Sequence, residues 1–328
     1  MVVPRSHRRV TFARLLATTL AVAVLSVRQP SAHAQEAATI ATPPLTPEPR
    51  DLSTREVLTL AGVGAGLSTL VVVGGTLAWW RDEPYVGWHW RDTGFFGRDT
   101  YAGGSDKVGH AYSWWFGLRA TTQIFEWFGI SRRHSLIAGT TFSLVASNIV
   151  EVGDAFTRYG FEWPDVVANL AGTGAALTAE LWPAFDELFG YRLSYVPSPA
   201  FRAGEKNYIK LVNDYTGMMY LVDLKLAGIE PAFGISPGFA RYFNIGLSYG
   251  TSGYSPREPP KQRVFGFQAS LNVPEILQAV FGEDGKALGA ATTFTRYVAL
   301  PFTVVNNTYG LNYRERAVSF GVSNRFQL

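Results

Sequence analysis

Residues 263–273 read RVFGFQASLNV, in which Phe265, Phe267, Ala269, Leu271 and Val273 alternate with small or polar partners. A period of two gives an extended chain two unlike faces, which is the mark of a half-buried β-strand. The alternation returns in Phe243, Ile245, Leu247 and Tyr249, and again in Val318, Phe320, Val322 and, after Asn324, Phe326 and Leu328. With segments beginning near Tyr208 and Met218, and Pro-rich punctuation such as SPREPPK at 255–261, the C-terminal part reads as roughly five or six antiparallel strands. That falls short of the roughly eight strands of the smallest usual outer-membrane barrel. A small sheet packed on helices or on a membrane surface is therefore expected.

Upstream of the strands the period changes to that of helices, at about 106–129, 134–152 and 165–181, with Gly129 and Gly153 near two stops and Pro164 at a start. Short connections make consecutive helices antiparallel neighbours. Before them, residues 57–80 (VLTLAGVGAGLSTLVVVGGTLAWW) carry no charge and are long enough to cross a bilayer. Trp79, Trp80, Tyr85, Trp88 and Trp90 follow like an interfacial belt. Were all four helices to span, Arg132 and Arg133 would fall on the exported side, against the positive-inside tendency, so four full spans are not expected.

The first 34 residues place Arg5, Arg8, Arg9 and Arg14 before an apolar run from Leu15 to Val27 and end in Ala32-His33-Ala34, the order of an export signal. Residues 35–56, rich in Pro and Thr, read as a flexible tether. The expected fold class is thus α+β: a membrane-associated antiparallel helical bundle over 57–190, followed by a C-terminal antiparallel β region over 191–328.

Charge and cysteine content exclude several functions. The signal holds five of the 29 basic residues and no acid, which leaves 24 basic against 26 acidic residues in the rest of the chain and removes the electrostatic basis for a nucleic-acid partner. With no cysteine, disulfides, thiolate metal sites, cysteine nucleophiles and a lipidated cysteine are all absent. Membrane lipid is the expected partner.

The chemistry concentrates at one end of the bundle. An up-down-up arrangement brings the start of the second helix, the end of the third and the start of the fourth together, and with them Asp106, Lys107, His110, Glu151, Asp154, Asp165 and Asn169. Spacings of four (106/110, 165/169) and three (151/154) put each pair on one helix face. Asp106 and Asp165 in first turns suit the helix dipole, whereas Glu151 and Asp154 at a C-terminal end oppose it and need a partner. Lys107 is expected to neutralise one of these two.

The patterns D-K-x-x-H at 106–110, E-x-x-D at 151–154 and W-P-D-x-x-x-N-x-x-G at 163–172 resemble the YfiM-like family of predicted periplasmic lipoproteins, a domain of unknown function. The likeness extends to NDYTGMMYLVDLKLAG at 213–228, and the first three elements are more distantly similar to VanZ-like membrane proteins. The resemblance implies an envelope setting and no reaction.

Three readings of the cluster follow. A structural or ligand-binding clasp uses all seven groups. A metal centre would draw on Asp106, His110, Glu151 and Asp154, with Asp165 as a further oxygen ligand, because one imidazole among carboxylates suits Zn, Mn or Mg. A hydrolase-like enzyme acting on envelope lipid or cell-wall material would use His110, Glu151 or Asp165 in acid–base roles. Elsewhere, Asn213, Asp214 and Tyr215 read as a turn, and Asp223 with Lys225 as the wet face of a strand.

Overall fold

The computed structural model describes residues 51–204, 208–254, 260–282, 286–312, 316–320 and 325–327. The expected signal, most of the tether, and Val322 and Leu328 lie outside these residues.

Helix α1 spans Thr54–Gly75 and continues through a wider turn to Trp80. It begins inside the segment read as tether because Ser53 and Glu56 form a capping box, each side chain accepting from the other's backbone N–H. Three longer helices follow: α2 Ser105–Trp127, α3 Arg132–Ala155 and α4 Trp163–Leu181. They pack on one another as antiparallel neighbours, and α1 lies along α3. Small residues set the spacing of α2 and α4: a Cβ on Gly172 would stand 2.0 Å from the Ala111 carbonyl oxygen. Trp115, Leu118, Leu136, Ala176 and Ala179 form the bundle's apolar core.

A short helix, α5 Pro183–Leu188, leads into an eight-stranded sheet. Its strands are β1 Phe189–Tyr195, β2 Met218–Lys225, β3 Phe243–Ser252, β4 Gln262–Leu271, β5 Val298–Ala299, β6 Val304–Gly310, β7 Arg316–Phe320 and β8 Arg325–Gln327. The order across the sheet is β5-β1-β2-β3-β4-β6-β7-β8, antiparallel except where two residues of β5 run parallel to β1. Two helices, α6 Val273–Phe281 and α7 Lys286–Tyr297, fill the interval before β5. Val273 opens α6 instead of extending β4, with Pro274 in its first turn. The strand expected near Tyr208 is a 3₁₀ helix, Tyr208–Asn213.

The sheet is strongly curled. Strands β5 and β6 lie five places apart, about 24 Å in a flat sheet. Yet only residues 300–303 join them, so Ala299 and Val304 are at most about 18 Å apart in full extension. Both side chains pack in one cluster with Met219 and Leu221. Arg192 on β1 likewise donates to Ser270 on β4 at 2.5 Å, across strands that would be about 14 Å apart if flat.

Curling encloses the face that carries the polar residues. Asp223, Asn244, Ser248, Gln268, Ser270, Asn306 and Thr308 are all buried, while Val222, Ile245, Leu247, Phe267, Leu271 and Val305 of the alternate set are exposed. Asp223 and Lys225 therefore do not lie on the solvent-exposed face on which their spacing puts them. Asp223 is 1% exposed and accepts two hydrogen bonds from Arg192, at 2.5 and 2.9 Å, and one from Gln268, and Lys225 reaches the Asp186 carbonyl.

Candidate functional site

The end of the bundle where α2 and α4 begin and α3 ends is shaped by an unusual turn. Ala102, Gly103 and Gly104 all have positive φ (45°, 64° and 94°), and a Cβ on Gly104 would meet the Phe95 carbonyl at 2.5 Å, so only glycine fits there. The sheet holds this turn, with Tyr249 Oη donating to the Gly103 carbonyl at 2.5 Å and Thr251 to Ser105 at 3.0 Å. Asp106 and Lys107 then enter the bundle interior on the first turn of α2.

Lys107, 2% exposed, is the hub. Its Nζ lies 2.5 Å from Glu162 Oε2, 2.7 Å from Asp165 Oδ1 and 3.2 Å from Asp106 Oδ2. The lysine thus neutralises the start of α4 and its own neighbour, not Glu151 or Asp154 as expected. Glu162 sits at the N-cap position of α4, one residue before the W-P-D pattern, and also accepts from Thr93 at 2.9 Å. The other oxygen of Asp106 accepts from Tyr215 Oη at 2.5 Å.

His110 joins the second half of the cluster. Its Nδ1 donates to Asn169 Oδ1 at 2.9 Å, with Glu151 Oε1 at 3.4 Å, and Asn169 Nδ2 donates to that same Glu151 oxygen at 3.1 Å. Glu151 Oε2 is buried without a protein partner. Engaging Nδ1 in this way leaves Nε2 facing Asp106, 3.8 Å from Oδ1. Ligand atoms of Asp106, His110 and Asp165 lie within 4.8 Å of one another, a spacing that can hold a metal ion. Of the other carboxylates considered as ligands, Glu151 stands behind the opposite ring nitrogen. Asp154 is drawn to α1, accepting from Trp80 Nε1 at 2.6 Å while the indole covers Gly153.

Charge sets the protonation of these groups. Burial alone would lower the His110 pKa, but the charges of Asp165, Asp106 and Glu151 outweigh it and raise the imidazole to about 9. Burial, then the charge of Asp106, raises Asp165 to about 6 despite His110 and Lys107. For Asp106 the burial penalty is overcome by His110, Lys107 and Tyr215, which hold it below the ordinary aspartate value. Lys107 stays charged, since Asp106 and Asp165 more than offset its desolvation.

Sequence reasoning missed Glu162, Tyr215 and Trp80. The spacing argument covered residues on helices, and these three lie at a cap, in a segment read as a turn and in a presumed membrane belt. Asn213 and Asp214, from that same turn, are structural: Asn213 accepts from Trp79 Nε1, and buried Asp214 accepts from Tyr195 and the Ser198 amide. The Trp loop caps the end of α3, with Tyr85 stacked on Phe156 and Trp88 and Trp90 around Phe161. A separate cavity of about 440 Å³ lies at the far end of the buried sheet face, lined among others by Arg119, Arg192, Asp223, Thr292 and Arg296.

Residues 92–181 match the model of a family described as predicted periplasmic lipoprotein (DUF2279), a stretch that holds all seven residues singled out by spacing, with Glu162, but neither Trp80 nor Tyr215. The match is consistent with an envelope protein exported to the periplasm and names no reaction. No curated protein and no solved structure matches the chain.

Proposed function

We propose that the protein is an exported, membrane-associated cell-envelope component with a structural and ligand-binding role, whose polar cluster fastens three helices through Lys107 and accepts a cation at its His110 edge. The observation that carries this reading is an imbalance of charge. Five carboxyl groups, Asp106, Glu151, Asp154, Glu162 and Asp165, converge on three basic ones, Lys107, His110 and, at the rim, Arg91, 3.7 Å from Glu162, although burial raises Glu151 to about 8 and Asp154 to about 7. A cation on Asp106, His110 and Asp165 offsets the surplus, and one nitrogen with two carboxylates suits Zn or Mn. Asn169 and Glu151, behind the other ring nitrogen, orient the imidazole for that task.

Helix α1 supports the membrane association, being long and apolar enough to cross, with none of its most apolar stretch buried. The finer resemblances to YfiM-like and VanZ-like proteins fit the same setting. A hydrolase-like reading uses the same groups, with His110 Nε2 as a base only once it has lost the proton that its acidic neighbours hold to about pH 9, and is favoured only by the imidazole being more exposed, at 18%, than Lys107 and the carboxylates around it.

The test is titration calorimetry of the detergent-solubilised, chelator-treated chain with Mn²⁺ and Zn²⁺, beside elemental analysis of the protein as purified. Stoichiometric binding that disappears in His110→Ala and Asp165→Asn is expected. A folded protein that binds neither ion removes the ligand half of the proposal, and a fully stable Lys107→Met variant removes the structural half.

A further inference from the structure

The curled sheet buries what water would welcome and exposes what water rejects. Along its outer face the register aligns Leu224, Ile245, Ala269 and Val305 in one row and Val222, Leu247, Phe267 and Asn307 in the next. A third row runs Tyr220, Tyr249, Phe265 and Tyr309. None of these twelve side chains is charged, and Phe267, at 61% exposed, stands at the centre of the patch. Tyr220 and Tyr249 are taken up by the bundle, against Gly109 and Gly103, so the apolar rows begin where the helices stop. Beyond them, at the sheet's end, Phe239, Val280 and Phe302 are also exposed.

The inner rows are the converse: Asp223, Gly246, Gln268 and Asn306 in one, Leu221, Ser248, Gly266 and Thr308 in the next. Asn244 Oδ1, Ser248 Oγ, Gln268 Oε1 and both amide atoms of Asn306 are buried there with no protein partner, as in an interior designed for water. A sheet folded in water places these two sets the other way round. Lipid is the solvent that inverts the preference.

We propose that the outer face of β2, β3, β4 and β6 lies against the acyl chains of a bilayer, with Phe265 and Tyr309 at its border on the side of the helices. The inference rests on the membrane association proposed above and assigns it a second contact surface besides α1. A protein partner fits less well, since the three rows carry no charge and Arg263, next along the outer face of β4, is already engaged by Asn312 and the Phe96 carbonyl.

The absence of cysteine from the chain makes the test direct. Single-cysteine variants Phe267→Cys, Leu247→Cys, Leu58→Cys on α1 and Lys261→Cys as the aqueous reference are labelled with an environment-sensitive fluorophore. The full chain is then reconstituted in phosphatidylethanolamine/phosphatidylglycerol vesicles. Labels at 267 and 247 are expected to shift to the blue and lose most of their emission to nitroxide-bearing lipid while resisting iodide, with 261 behaving oppositely. Quenching by lipid at 58 but by iodide at 267 and 247 overturns the sheet inference and leaves membrane association standing. Iodide quenching at 58, 267 and 247 alike overturns both. Labels at 267 and 247 shielded from iodide and lipid together would mean a protein covers the face, which also overturns it. The two sheet positions guard against one variant failing to fold.

Discussion

At the end of the helical bundle Lys107 meets three carboxylates within 3.2 Å, whereas inside the sheet Asn244, Ser248, Gln268 and Asn306 keep polar atoms that no protein group answers. Both regions bury polarity, but of different kinds. An ion taken out of water demands a specific counter-ion, and removing one member strands the rest. Neutral amides and hydroxyls can be answered by water, which is exchangeable. The bundle's polar end should therefore be brittle and the sheet's interior forgiving, with the Arg192–Asp223 pair and Lys225 against the Asp186 carbonyl as brittle points of its inner face.

The sharpest way to break that contrast is Lys107→Met, which leaves Asp106, Glu162 and Asp165 facing one another and should cost about 3–5 kcal/mol in denaturant unfolding of the detergent-solubilised chain. A pH series comes next. The folded pKa of His110, about 9 against an ordinary 6.5, means that its protonation favours the fold fully below pH 6.5 and ceases to do so as pH rises through 9. Asp165, raised to about 6 from 3.8, has the same sign over a lower window, and Asp106, whose pKa is depressed, acts oppositely at more acid pH. The midpoint of thermal unfolding should thus fall between pH 6.5 and 9, with a shallower slope in His110→Gln; a rise over that range would reverse the assignment. Gly172→Val drives a side chain into the Ala111 carbonyl and should cost about 1–3 kcal/mol by the same unfolding measurement. At the small end, Asn306→Leu replaces an amide with no protein partner and should change stability by less than about 1 kcal/mol. A large loss there would show that the sheet interior is as exacting as the bundle.

How much of this could be read in advance follows the same division. Helical period and the Gly and Pro stops locate α2, α3 and α4 to within a few residues, and acids at the end of α3 announce that something must answer them. The partner assigned to Lys107 was wrong because Glu162, its shortest contact, belongs to a connection whose path no periodicity describes. For the strands, alternation in 263–273 reveals two faces but is silent on which is inside. Their shared face makes Asp223 and Lys225 read as the wet side of their strand. The short link to β6 folds the polar side inward instead, and no local pattern encodes a closure between positions that far apart in the sheet.

That link, residues 300–303, has a bearing on timing. Because it ties an edge strand to one five places away, β5 and β6 can both be paired only when the strands between them are in register and the sheet has curled. Completing the sheet therefore depends on contacts between distant parts of the chain, the kind of topology that slows folding. A cut or a long insertion between Leu300 and Thr303 should release the two flanks from each other and let incomplete sheets accumulate.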